Sequence, residues 1–264
     1  MPMTAPTVLV VLGALICASA LGVNLQQRLP EGHKTRETGD HIRLMISILV
    51  TFTAVVLGLL ITNVKSSFDQ FDSRLRTFAG DITELEVRLR EFGADAMPIR
   101  AQLRTYLAAA IADTWRNEPP PSGDYPKFPA SSSLERKQLG DLLISVDIAI
   151  RKLEPTDTFH KRLTTQIENG MSETMAQRRL LIETARDTIT WPLLVAMTAW
   201  LVIVFAVFGI IAPRNGVVYA TILLCALSFS SAIFFILELD TPTDGFIYAS
   251  SEPLRDALQH FDAQ

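Results

Sequence analysis

LMISILVTFTAVVLGLLITNVKSSFDQFDSRLRTFAGDITELEVRLREF, Leu44 to Phe92, decides the fold. Its first part, Leu44 to Val64, is uncharged and predominantly apolar, contains no Pro and only one Gly, and has the length that crosses a bilayer. In the second part the apolar residues fall at Phe68, Phe71, Leu75, Phe78, Ile82, Leu85, Leu89 and Phe92. Steps of three and four without a slip are the pattern of a coiled coil or helical bundle. The stretch therefore predicts one helix that leaves the membrane and carries an oligomer seam about 40 Å beyond it, at 1.5 Å per residue.

Three further apolar blocks accompany it. Thr7–Val23 is at the short end for a span, and Ala18-Ser19-Ala20 looks like a signal cleavage site. No Lys or Arg precedes the block, however, so it reads as a retained helix. Ala14, Ala18 and Gly22 recur every four residues, a small-residue face that permits close helix contact in lipid. Asn24–Arg43 reads as a polar connection carrying Arg28, Lys34, Arg36 and Arg43. Trp191-Pro192 opens a third span, Leu193–Ala212, and the tight turn Pro213–Gly216 leads to a fourth, Val217–Leu237.

Between the second and third spans the residues are helical in pattern. Gly93–Met97 breaks the long helix, and Pro98 suits the first turn of the next. Ile99, Leu103, Tyr106, Leu107, Ile111 and Trp115 form its stripe. Asn117–Ser133 holds five of the fourteen prolines and is a loop. Ser133 is a candidate cap for a helix over Leu134–Leu153. Another begins near Thr156 or Asp157, with Phe159, Leu163, Ile167, Met171 and Met175 inward, then Ile182, Ala185 and Ile189. In the tail, Ser251 is the expected cap of a short amphipathic helix bearing Leu254, Leu258 and Phe261.

These blocks predict an all-α polytopic membrane protein with four transmembrane helices and a helical, coiled-coil-like insert between the second and third. The expected domains are a first pair of spans (1–64), a helical extramembrane domain (65–190), a second pair of spans (191–240) and a tail (241–264). The chain has 264 residues, 48% hydrophobic and 20% charged, and the charges concentrate between the blocks. A net charge of −4 gives no reason to expect a nucleic-acid partner. Cys17 and Cys225 sit inside apolar blocks, and the four histidines have no metal-ligand spacing, so neither a metal nor a cofactor is expected. No nucleotide loop, nucleophile elbow or redox CxxC points to an enzyme.

Chemistry, if any, belongs to the spans. Ser47, Thr51, Ala54, Gly58 and Thr62 follow one another at helical spacing on the second span. They form a small, partly polar face fit either for helix contact or for a pore wall. Asn63 lies at the membrane boundary of the same span. Lys65 after the second span, with Glu238 and Asp240 ending the fourth, are candidates for the mouth of a pathway. Pro242 and Gly245 frame a turn.

Leu57-Gly58-Leu59-Leu60 with Ser66-Ser67-Phe68, Leu239-Asp240-x-Pro242-x-x-Gly245, and Ser251-Glu252-Pro253-Leu254-Arg255 resemble the bacterial bestrophin-like membrane proteins. The resemblance covers nearly the whole chain. It implies a multi-pass protein of the bacterial inner membrane, remotely related to the bestrophins, which are pentameric anion channels. It also implies a homo-oligomer in the lipid bilayer that passes small inorganic ions. Four spans place both termini and 65–190 on one membrane face. The charge count leans toward the outside for that face, whereas the resemblance implies the cytoplasm. A membrane-anchored sensor or scaffold, using 65–190 to bind a ligand or partner, is the other reading.

Overall fold

The computed structural model describes residues 4–28, 36–128, 137–186, 191–213 and 215–262. Its elements are α1 (Thr4–Arg28), α2 (Arg36–Phe92), a 3-10 turn (Ala94–Ala96), α3 (Met97–Thr114), α4 (Lys137–Ile150), α5 (Thr158–Arg186), α6 (Trp191–Ile211), α7 (Gly216–Leu239) and α8 (Glu252–Asp262). No strand occurs among the described residues. Among the described residues, four helices, α1, α2, α6 and α7, are long and apolar enough to cross a membrane. The polar connection expected over Asn24–Arg43 is shorter, because α1 runs to Arg28 and α2 starts at Arg36. Polarity alone does not end a helix, and the one proline in that stretch, Pro30, lies between the two. The proposed cap Ser133 lies outside the described residues, as do Ile189 and one residue of the turn before α7.

The chain divides into two compact units, one within 1–66 and 188–241, the other within 67–187 and 242–264. In the first, the core joins α1 (Val11, Leu15, Ala18), α2 (Leu60, Val64), α6 (Leu194, Met197, Leu201, Phe205) and α7 (Ala226, Ile233, Ile236). The small face of α1 packs at the backbone level. A Cβ placed on Gly22 would lie 2.0 Å from Ala206 O, and one on Gly209 would lie 2.1 Å from Ser19 O. Gly13, on the same helix, would meet nothing. Asn215 caps α7, its side chain accepting the Val217 N–H at 2.8 Å.

The second unit has its own core. All seven residues from Phe71 to Phe92 in the three-four series are buried, and Phe68 is partly buried. They pack with α3, α4, α5 and α8 of the same chain, so the expected oligomer seam is an intrachain core. The spacing identifies an apolar stripe but not what covers it. The stripe of α3 is buried throughout, from Ile99 to Trp115. On α5, Leu163, Ile167 and Met171 are buried, but Phe159 is 61% exposed and edge-on to His160. Phe159 lies in the first turn of α5. Gly93, with φ 94°, ends α2 in the left-handed region. Asp157 opens α5 by accepting the His160 N–H at 2.9 Å.

One charge pair lies inside this unit. Glu86 is fully buried and is bonded by the Arg100 guanidinium, itself only 13% exposed. Glu86 follows Leu85 of the stripe directly, a position that pattern reading assigns to the water side.

Candidate functional site

The α2 face predicted from sequence is open within the chain. Ser47, Thr51, Ala54, Gly58, Thr62 and Asn63 are all exposed. Ile46, Thr53, Leu60 and Val64, on other sides of the same helix, are buried. A Cβ on Gly58 would touch nothing within 4 Å. The hydroxyls donate along the helix: Ser47 to Arg43 O at 2.8 Å, Thr51 to Ser47 O at 2.8 Å and Thr62 to Gly58 O at 2.9 Å. Their protons are thus engaged within the helix. Lys65 continues the stripe three residues beyond Thr62 and is exposed.

The carboxylates grouped with Lys65 by sequence differ in setting. Glu238 is fully buried in α7, whereas Asp240, one residue past the helix end, is half-buried. The turn after it is built as its residues suggest. Pro242 O accepts the Ala249 N–H at 2.8 Å, closing the loop, and Gly245 takes φ 104°.

Within the second unit, the tail is fastened to the loop that follows α3. The Trp115 indole N–H donates to Ala249 O at 2.6 Å, and Asn117 Nδ2 donates to Asp244 Oδ1 at 2.8 Å. Glu118 is the centre of this clamp. It accepts the Ser251 N–H at 3.1 Å, the Ser251 hydroxyl, and Arg255 Nε at 3.1 Å. Arg255 Nη2 also reaches Pro119 O at 2.6 Å, and Arg104 Nε binds Asp262 at 2.7 Å. Ser251 therefore does not serve α8 chiefly as a side-chain cap. Its carbonyl opens the helix, accepting from Leu254 and Arg255, while its hydroxyl belongs to Glu118. Leu254, between Pro253 and Arg255, is fully buried. The motif Ser-Glu-Pro-Leu-Arg thus docks a helix. Glu118 itself stands beside the Pro119-Pro120-Pro121 run, where no periodicity singles it out.

Burial pushes the Glu118 carboxyl up, but the hydrogen bonds from Ser251 and then Arg255 outweigh it and hold the group below its ordinary value. A carboxyl lowered in the folded state stabilises above its unfolded pKa, and that stability fades as pH falls through the folded one. The clamp is therefore full at neutral pH, and it weakens only as the pH falls below the ordinary carboxyl range toward the lowered value of Glu118. Thermal unfolding of the full chain should show the wild type losing more of its midpoint between pH 7 and pH 3.5 than Glu118→Gln does. Equal losses would remove Glu118 from the acid limb.

Residues 13–254 match the family described as the bestrophin-like domain. Among solved structures, the fold matches a point-mutant crystal structure of a bacterial bestrophin homologue from Klebsiella pneumoniae. The TM-score is 0.63 at 14% sequence identity, over 99% of this chain and 96% of that one. No curated protein matches the sequence. At that identity the structural likeness speaks for the fold alone, and the family rests on the sequence match across the spans, the helical insert and the tail motif. The chain is an integral membrane protein belonging to the bestrophin-like family.

Proposed function

We propose that this protein is the subunit of a homo-oligomeric, multi-pass ion channel of the bacterial inner membrane, with α2 of each copy lining the pore. The observation that carries the reading is the open stripe Ser47, Thr51, Gly58, Thr62. It is small, uncharged and partly polar, it runs over sixteen residues of a spanning helix, and its residues are exposed within their own chain. A single helix in lipid gains nothing from such a face, whereas several copies around an axis turn it into a wetted wall. Family membership supports the channel reading. Lys65, exposed at one end of the stripe, would form a ring of positive charge, which favours anions. Glu238 and Asp240 belong to the end of α7, where they would set the field near a pathway mouth. Residues 65–190, with the tail, form the extramembrane part, on the cytoplasmic side by the family's arrangement. A sensor or scaffold would use that part alone and leave the α2 stripe without a role.

The test is flux through the full chain reconstituted in vesicles, comparing the wild type with Gly58→Leu. A Cβ added at Gly58 meets nothing within 4 Å, so the variant should be at least as stable to heat as the wild type. If the stripe faces a pore, a ring of leucines narrows it and chloride flux falls to background. Unchanged flux in the variant would move the pathway elsewhere, and a wild type silent under every ionic condition would end the channel reading.

A further inference from the structure

A cleft of about 680 Å³ opens in the first unit between the start of α2, the end of α6 and the start of α7. That size lies in the range of about 300–1,000 Å³ typical of ligand sites. Its walls include Phe208 of α6 and Ile222 of α7, with Ser47, Thr221 and Cys225 among them and Arg43 at α2. The two hydroxyls are engaged with their own helices, Ser47 with Arg43 O at 2.8 Å and Thr221 with Val217 O at 2.9 Å. The cavity therefore offers hydrocarbon walls and, for a charged ligand, one guanidinium. Arg43 lies at the beginning of the spanning segment of α2, which starts at Asp40, and the α6 residues lie just before the turn to α7. Both mark span ends, the depth at which a phospholipid exchanges acyl chain for head group. The Arg43 side chain is 69% exposed and shares only a 3.4 Å contact with Asp40, also mostly exposed, so its planar fork remains available to a phosphate.

We infer that this cleft binds a membrane phospholipid with an anionic head group, the phosphate at Arg43 and an acyl chain along the α6–α7 wall. Arg43 stands one turn before Ser47, so the head group would also sit at the edge of the stripe proposed to line the pore. Lipid binding itself does not depend on conduction, and its test reads no current.

The full chain, released from membranes containing equal phosphatidylglycerol and phosphatidylcholine, would be examined by native mass spectrometry for retained lipid. The wild type should retain phosphatidylglycerol over phosphatidylcholine by about fivefold, the worth of one basic residue at a membrane surface. Arg43→Gln should lose the preference while still holding lipid, and Cys225→Phe, which fills the recess from an exposed position, should lower retention of both. Equal ratios in the wild type and Arg43→Gln, or full retention in Cys225→Phe, would overturn the site. Millimolar inorganic phosphate should leave the lipid in place, and displacement by it would assign Arg43 to a free anion instead. In a Cys17→Ser background, a benzophenone carried on Cys225 should crosslink to lipid. Crosslinks joining two protein chains would show that a second copy occupies the cleft and would defeat the proposal.

Discussion

Replacing Gly209 or Gly22 with valine should unfold the first unit or leave it only marginally stable, while the same change at Gly13 should pass unnoticed. At both sensitive positions the first added atom meets a carbonyl oxygen near 2 Å, Ser19 O for Gly209 and Ala206 O for Gly22. Overpacking against side chains usually costs about 1–3 kcal/mol because rotamers adjust. Here the obstacle is backbone on both sides, and relief requires α1 and α6 to move apart along their whole contact. The expected destabilisation therefore exceeds about 3 kcal/mol, the upper end for overpacking. The loss should appear as a fall of many degrees in the unfolding midpoint of detergent-extracted protein. Gly13→Val, with nothing within 4 Å, should stay within about 0.5 kcal/mol of the wild type. A Gly209→Val protein as stable as the wild type would mean that the two helices are not in backbone contact.

The second large effect concerns Glu86 and Arg100. Arg100→Met leaves a fully buried carboxylate without its cation. Breaking one side of a buried pair costs about 3–5 kcal/mol, whereas replacing both partners by apolar groups is often neutral or stabilising. Arg100→Met alone should therefore be severely destabilised, and Glu86→Leu with Arg100→Met should recover most or all of the loss. Denaturant unfolding of the two single variants and the double closes the cycle. Additive losses would show that the two side chains do not act on each other.

The sequence was most legible where one period governs many residues. The four apolar blocks correspond to the four described helices that are long and apolar enough to cross a membrane, and the three-four series from Phe68 to Phe92 marked which side of α2 is dry. It did not reveal the cover, because the same spacing suits a neighbour from the same chain or from another copy. Glu86 was invisible for a related reason: periodicity scores its position as outward, and only the arrival of Arg100 from α3 makes its burial tolerable. Glu118 and its hold on Ser251 and Arg255 depend on a contact spanning more than 130 residues, and no local pattern encodes that. The small face of α1 was readable from Ala14, Ala18 and Gly22, yet its partner Gly209 was not, since a lone glycine in an apolar helix carries no address. On α2 the hydroxyl stripe was readable as a face, and the chain's own packing adds that it is left bare.

The clamp on the tail also governs biosynthesis. Residues that rest on α3, among them Leu254 and Leu258, leave the ribosome only after α6 and α7 have been made. Throughout that interval the apolar bed awaiting them, with Trp115 at its edge, stands open in a nascent chain already threaded into lipid. Exposed surface of this kind invites aggregation and chaperone capture. A premature stop just beyond Thr241 would spare all four long apolar helices and still release a protein unable to close its second unit.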